Sequence, residues 1–449
     1  MHNHKSVAIV GAGLVGSLLA IHLRKLGYPV VVYDRSDDIR KVSFKGKSIN
    51  LAISTRGWHA LKTVDAVEEI EKISIPMDKR AIHNIKGEIT YQPYGIHGEA
   101  IYSVSRGDLN RKIVDLAEKA DAQFAFHRKI EDVSLQDATL FIKNLTTQEK
   151  EQINHERIFG TDGAFSKIRQ RMQKQNRFNY SQYFLPLGYK ELYIPAGENG
   201  KHLIDPNSFH IWPRKDFMLI ALPNIDGSFT STLFFPFEGE HSFESIDTPE
   251  KLNNLFETFF PDVVSIMPTL VEDYFTNPTS SLVTTQCFPW IFEDKIALLG
   301  DAAHAVVPFY GQGMNAGFED ITELYQQIVK YTDDWKQILE NYQKNRKPNA
   351  DAIAELSFRN FKEMGTDTAN EMFLLQKKIE RNFTLKYPQY WLPLYDRVSF
   401  SLQPYHEVLE IADKQHEIMQ EVMNRPNIKE KWEEEEVYEY ILNKITNLV

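Results

Sequence analysis

"VAIVGAGLVGSLLAIHLRKLGYPVVVYD", Val7 to Asp34, decides the fold. Four apolar residues read as a buried strand, glycines follow at positions 11, 13 and 16, and the next stretch carries apolar residues at helical spacing. A second apolar run then ends on Asp34. Strand, glycine turn, helix, strand, acid is the order of a dinucleotide-binding βαβ unit. Gly11 makes the tight turn, Gly13 lets a pyrophosphate approach the backbone, and Gly16 allows close packing of helix on strand. The phosphates rest on the helix N-terminus, and Asp34 can accept hydrogen bonds from a ribose. Residues 6 to 23 could pass for a signal peptide or a membrane span, but the spaced glycines and the following acid argue against both.

Working outward, the 449 residues exceed what a single core of about 250 to 300 residues can hold, so two or three structural units are expected. Apolar residues at 42% and charged residues at 25% are ordinary for a globular enzyme. A net charge of −11 with scattered basic residues excludes a nucleic-acid partner, which would need a basic face. The one cysteine, Cys287, rules out an internal disulfide and a cysteine metal site, and reads as a buried inert thiol. No metal is expected. No other apolar run nears the length of a spanning helix, so the chain reads as soluble and cytoplasmic, a monomer or a homodimer.

"SRGDLNRKIVDLAEKA" is a helix capped by Ser105, and "QFAFHRKIEDVSLQDATLFIKNL" alternates like paired strands. From about 180 to 285 the runs become extended and aromatic, with "FMLIALP", "NIDG" and "SFTSTLFFPF" forming strand, turn and strand. Beyond Asp320 the pattern is helical, and "IKEKWEEEEVYEYILNKI" reads as one acidic helix. The expected class is α/β: a discontinuous Rossmann-type domain (1–75, 101–180, 285–335), an antiparallel-sheet substrate domain (76–100, 181–284) and a C-terminal helical region (336–449).

Two later motifs refine the nucleotide. "FGTDGAFSKIRQRM" brings Asp162 and Gly163, and "LLGDAAHAVVPFYGQGMNAGFED" brings Gly300 and Asp301, each after an apolar strand. A GxGxxG, then a D-G, then a G-D resembles the single-component FAD-dependent aromatic hydroxylases. The resemblance implies that FAD fills the one dinucleotide site, that Asp301 holds the ribityl hydroxyls, and that Arg106 contacts the flavin. It adds Val15, Arg35, Ala52, Met314 and Asn315 to the cofactor set. The helix from Gly313 would point its N-terminus at a ring that becomes anionic on reduction. With only one fingerprint present, the pyridine nucleotide docks transiently. The residues do not separate NADPH from NADH, and the resemblance implies NADPH.

Longer runs narrow the likeness to family members that hydroxylate an aromatic amino acid: "KGKSINLAISTRGWHAL", "IPMDKRAIH", "YSVSRGDLN", "SFHIWPRKDFMLIALPNIDGSFTSTLFFPFEG" and "WLPLYDRVSFS" occur in the family's order over residues 5 to 405. Carried over, the carboxylate-binding arginine falls on Arg80, with Tyr94, Asn360 and Tyr395 as further contacts. A guanidinium suits this because it grips a carboxylate with two parallel hydrogen bonds. By period two, Met218, Ile220 and Leu222 share a sheet face with Phe234 on the next strand, as an aromatic pocket or as plain packing. Pro308, Phe309 and Gln312 should lie between substrate and flavin. The implied chemistry is oxygen uptake by reduced flavin as a C4a-hydroperoxide and attack by a ring carbon ortho to the substrate's amino group, with no residue acting as nucleophile or base. His304 reads as structural or flavin-facing.

Eukaryotic members continue into a membrane anchor, where this chain has its acidic tail, so a soluble bacterial-type form is expected. The alternatives are a hydroxylase of another aromatic or polycyclic acid, and a non-redox interaction protein of the same fold, like the GDP-dissociation inhibitors.

Overall fold

The computed structural model describes residues 6–42, 49–95, 97–365 and 371–446; Lys45 to Ser48, the start of one run quoted above, lie outside them. The opening stretch forms strand Val7–Val10, helix Leu14–Lys25 and strand Val30–Tyr33. Val7–Val10 is central in a six-stranded sheet, parallel to Val30–Tyr33 on one side and to Arg157–Gly160 on the other. Ile296–Leu298 extends it in parallel, so the strands that precede the glycine turn, the D-G and the G-D lie side by side. Their C-terminal ends therefore open on one crevice, the place where open α/β sheets bind ligands.

Helices Leu14–Lys25 and Gly313–Tyr331 meet closely because Gly317 has no side chain: a Cβ there would stand 2.8 Å from Val15 Cγ2. Ser105 caps helix Arg106–Lys119 by accepting from the Asp108 N–H at 3.3 Å. Strands Arg128–Ser134, Thr139–Asn144 and Lys150–Asn154 form an antiparallel flap.

The second large sheet has seven strands, ordered Ser280–Phe288, Asn179–Ile194, Phe229–Pro236, Phe217–Pro223, Ser208–Arg214, Lys79–His83 and Ile89–Pro93. It departs from the expected antiparallel sheet at one junction, where Ser208–Arg214 runs parallel to Lys79–His83. The boundaries expected at 180/181 and 284/285 fall inside strands, since Asn179–Ile194 and Ser280–Phe288 pair with each other.

The acidic C-terminal stretch is two helices, Ile428–Lys431 and Glu435–Thr446, not one. The glutamates at 435 and 436 occupy the first turn of the second, where the helix dipole favours them. These helices pack with Glu371–Lys386 and Tyr405–Met423 around Phe383, Trp391, Met419 and Ile441, a cluster separate from that of the nucleotide fold. Among the described residues no helix is long and apolar enough to cross a membrane.

Candidate active site

A continuous cavity of about 2220 Å³ runs from the glycine turn, between the two large sheets, to the C-terminal helices. Gly13, Val15, Ala52, Arg106, Gly163, Asp301, Gly313 and Met314 line its nucleotide end. A side chain at Gly13 would meet nothing within 4 Å, so the space before the helix N-terminus is open to a ligand. Gly11 and Gly16 are outside the wall but hold it. A Cβ at Gly16 would come within 2.1 Å of the Gly11 carbonyl oxygen. Asp34 uses Oδ2 to accept from the Ala12 N–H at 2.7 Å and Oδ1 from the Ser36 N–H at 2.8 Å, fixing the turn while each oxygen keeps another lone pair. Arg35 is exposed and does not line the cavity.

Two residues expected beside the cofactor are engaged by the protein's own backbone. Asp162 accepts with Oδ2 from the N–H groups of Lys167 at 2.6 Å and Ile168 at 3.3 Å, while Oδ1 is buried without a hydrogen bond, and burial pushes its carboxyl up. The orphan N–H groups of a helix start compete for any acid just before it. Asn315 is buried, taking the Ser54 N–H at 3.0 Å and giving to the carbonyls of Ala52 and Gly311 at 2.9 and 3.0 Å. It is a strut tying the strand Asn50–Ile53 to the loop before the helix Gly313–Tyr331.

Asp301 opens a short helix and is exposed in the cavity, held there by what lies behind it. The preceding Gly300 N–H donates to Asp320 Oδ2 at 2.8 Å, and the same oxygen meets His304 Nε2 at 2.5 Å. Arg346 donates to Asp320 Oδ1 at 2.7 Å and to Glu319 at 2.7 Å. Burial opposes ionisation of Asp320, but His304 and Arg346 outweigh it and hold its carboxyl below the usual range. His304 also stacks on Trp290, with ring centroids 5.0 Å apart, and lies outside the cavity wall, so its part is structural. Arg56 extends the network from Glu319 to the carbonyls of Val398, Ser401 and Gln403.

At the other end, Met218 and Phe234 are directly paired across the sheet and line the cavity with Ile220 and Leu222. The Phe309 ring packs tilted against Phe234 with centroids 5.2 Å apart, and Pro308 and Gln312 line that wall. The Gln312 carbonyl accepts from Tyr405 at 2.9 Å and Ser54 at 3.3 Å, which leaves its amide NH2 for the cavity. Asn360 also lines the cavity and donates to the Phe309 carbonyl at 2.7 Å, bracing the loop.

Arg80 rises from the sheet beside two stacked rings, its guanidinium carbon 4.1 Å from the Tyr395 centroid and 5.2 Å from that of Tyr94, with the rings themselves 5.2 Å apart. Among the described residues no carboxylate pairs with it, and the neighbouring Tyr94 hydroxyl is buried against the guanidinium and Tyr395 without a well-formed hydrogen bond. A guanidinium that lacks a carboxylate in an apolar cavity favours a ligand anion.

The chain matches the family model described as FAD binding domain over residues 4–357. A kynurenine 3-monooxygenase of Flavobacterium psychrophilum is 58% identical over 447 residues, covering 100% of each chain. One from Dictyostelium discoideum is 43% identical over 435 residues, covering 94% of this chain and 93% of that one. The chain belongs to the kynurenine 3-monooxygenase family. Among solved structures, 2-methyl-3-hydroxypyridine-5-carboxylic acid oxygenase aligns with a TM-score of 0.65 at 18% identity over 79% of this chain and 90% of that one. PqsL of Pseudomonas aeruginosa aligns at 0.66 and 18%, over 81% and 97%. Both share the fold.

A cavity with one open nucleotide cradle is what an FAD-dependent kynurenine 3-monooxygenase family member requires, and the residues fit that cofactor: Gly13 leaves space, two helix N-termini converge, and Asp301 and Arg106 are exposed within reach of the same void. The sequence reading missed acid and base at the substrate end. Asp396 and Glu363 line it, and Lys377 pairs with Glu363 at 3.8 Å and Glu380 at 3.3 Å. The signal available for Asp396 was an acid set directly after Tyr395 in the otherwise apolar "WLPLY".

Proposed function

We propose that the protein hydroxylates L-kynurenine to 3-hydroxykynurenine in the cytoplasm, consuming NADPH and O2 and releasing NADP+ and water, in tryptophan breakdown toward quinolinate and NAD. The observation that carries the reading is the Arg80 guanidinium, without a carboxylate partner among the described residues, beside the stacked Tyr94 and Tyr395 rings. The identity of 56% to 59% with three kynurenine 3-monooxygenases over nearly the whole chain supports it.

Bound FAD would supply the redox chemistry, hydride acceptance and oxygen activation. The protein's own residues position and shield. Arg80 and the Tyr94 hydroxyl take the substrate carboxylate, and Tyr395 closes over the guanidinium. Met218, Ile220, Leu222 and Phe234 give the aminophenyl ring an apolar bed. Pro308, Phe309 and Gln312 set its distance from the cofactor, while the packed sheet excludes water. Gly13, Asp301, Arg106 and the N-terminus at Gly313 hold the cofactor.

The test is kynurenine-dependent NADPH oxidation by the flavin-loaded enzyme, with the product identified by mass and retention time. Stoichiometric 3-hydroxykynurenine is expected; NADPH oxidation that yields only hydrogen peroxide would overturn the reading.

A further inference from the structure

The carboxylate seat has an acidic neighbour with no part in the scheme above. Asp396 lies in the first turn of helix Leu394–Phe400, next to Tyr395, and lines the same cavity as Arg80. Its carboxylate is partly buried and accepts from the backbone N–H of Gly95. Among the described residues it forms no ion pair. The charged groups facing it are Glu99, from the loop after strand Ile89–Pro93, and Arg80. Glu363 and Lys377 also line the wall, paired with each other, and Tyr94, Tyr310 and Tyr395 add hydroxyls there.

The cavity end thus holds a guanidinium and a carboxylate that feel each other's charge but form no ion pair. Partly buried charges without an ion-pair partner are unfavourable, and two of opposite sign lining one cavity end select a ligand bearing both. In an α-amino acid the carboxylate and ammonium sit on the same carbon, so a carboxylate on Arg80 brings the ammonium to this wall. Glu99 adds negative potential at the same point. We propose that Asp396 receives the α-ammonium group of the substrate, so that Arg80 and Asp396 together select a zwitterionic amino acid over the corresponding deaminated acid. This rests on the function proposed above.

A purely structural Asp396, holding the Gly95 loop, would instead affect every ligand alike. Dissociation constants for L-kynurenine and for 4-(2-aminophenyl)-4-oxobutanoate, its deaminated analogue, separate the two roles when read from the flavin absorbance of the FAD-loaded enzyme. In D396N, binding of L-kynurenine should weaken about 10- to 100-fold while the analogue changes little, with D396E restoring part of the difference. Equal weakening of both ligands, or none for L-kynurenine, would overturn the proposal. A second arm needs no variant. Burial and Glu99 raise the Asp396 carboxyl to about 6, and only its ionised form attracts an ammonium. Wild-type affinity for L-kynurenine should therefore rise from about pH 5.5 to 7 relative to the analogue, and parallel profiles would overturn the proposal. Binding without turnover would strike the proposed function and leave this comparison intact.

Discussion

Arg80→Met offers the sharpest test of the substrate end. Methionine keeps an unbranched, apolar stem beside the stacked Tyr94 and Tyr395 rings and removes the guanidinium. No protein carboxylate forms an ion pair with Arg80 among the described residues, so its loss breaks no salt bridge, and much of the cost falls on the ligand. A hydrogen bond to a charged group contributes about 1.5 to 3 kcal/mol, which corresponds to roughly 10- to 150-fold in affinity. The half-buried position argues for the lower part of that range. The assay combines KM for L-kynurenine with its dissociation constant read from the flavin spectrum, after desalting to verify that FAD is retained. KM should rise by one to two orders of magnitude and kcat should fall less, because the interaction exists already in the ground state. A KM within about twofold of wild type would refute the placement of the substrate acid on Arg80.

Asp301→Ala should release FAD during gel filtration while the fold persists, since the side chain is exposed in the cavity and caps nothing; full flavin retention would contradict its assigned contact. Asp320→Ala leaves the buried Arg346 without its fully buried partner and frees the Gly300 N–H, so a loss of about 3 to 5 kcal/mol is expected, seen as a lower urea midpoint. An unchanged midpoint would mean the network carries little of the stability. Burial lowers His22 and His210 to about 4, so the unfolded chain takes up protons near pH 6.5 that the folded chain refuses. Stability should fall as pH drops from about 6.5 toward 4, and His210→Gln should flatten that slope in urea titrations at several pH values. A slope unaffected by the substitution would place the proton uptake elsewhere.

The elements legible in the sequence are those whose pattern closes within a few residues. Gly11, Gly13 and Gly16 with Asp34 specify a strand, a turn and a helix by local spacing, and the Phe217–Pro236 hairpin follows from alternation around a turn. What was illegible depends on partners far off in the chain. The parallel junction of Lys79–His83 with Ser208–Arg214 leaves no trace in either strand's own periodicity. Arg56 and Val398 are 342 residues apart, and nothing near either predicts the bond. Asp162 and Asn315 were read as cofactor contacts because their motifs adjoin a cofactor loop; whether a short polar side chain faces the cavity or the backbone beside it depends on which unpaired N–H or carbonyl lies nearer, and spacing does not encode that. The resemblance, not periodicity, pointed to Arg80, Tyr94 and Tyr395, which do stand together.

The contacts of Arg56 have a consequence for the order in which the molecule can assemble. During synthesis every strand of both large sheets has emerged once Leu298 is made, and the nucleotide cradle is complete soon after Gly313. The backbone acceptors that Arg56 needs, and Tyr395 above Arg80, arrive only with the segment from 394 to 403. Domains generally fold as they leave the ribosome, N-terminal parts first. The nascent chain can therefore form its nucleotide pocket while the seat for the substrate acid still lacks one wall, and recognition of the amino acid is the last competence the polypeptide acquires.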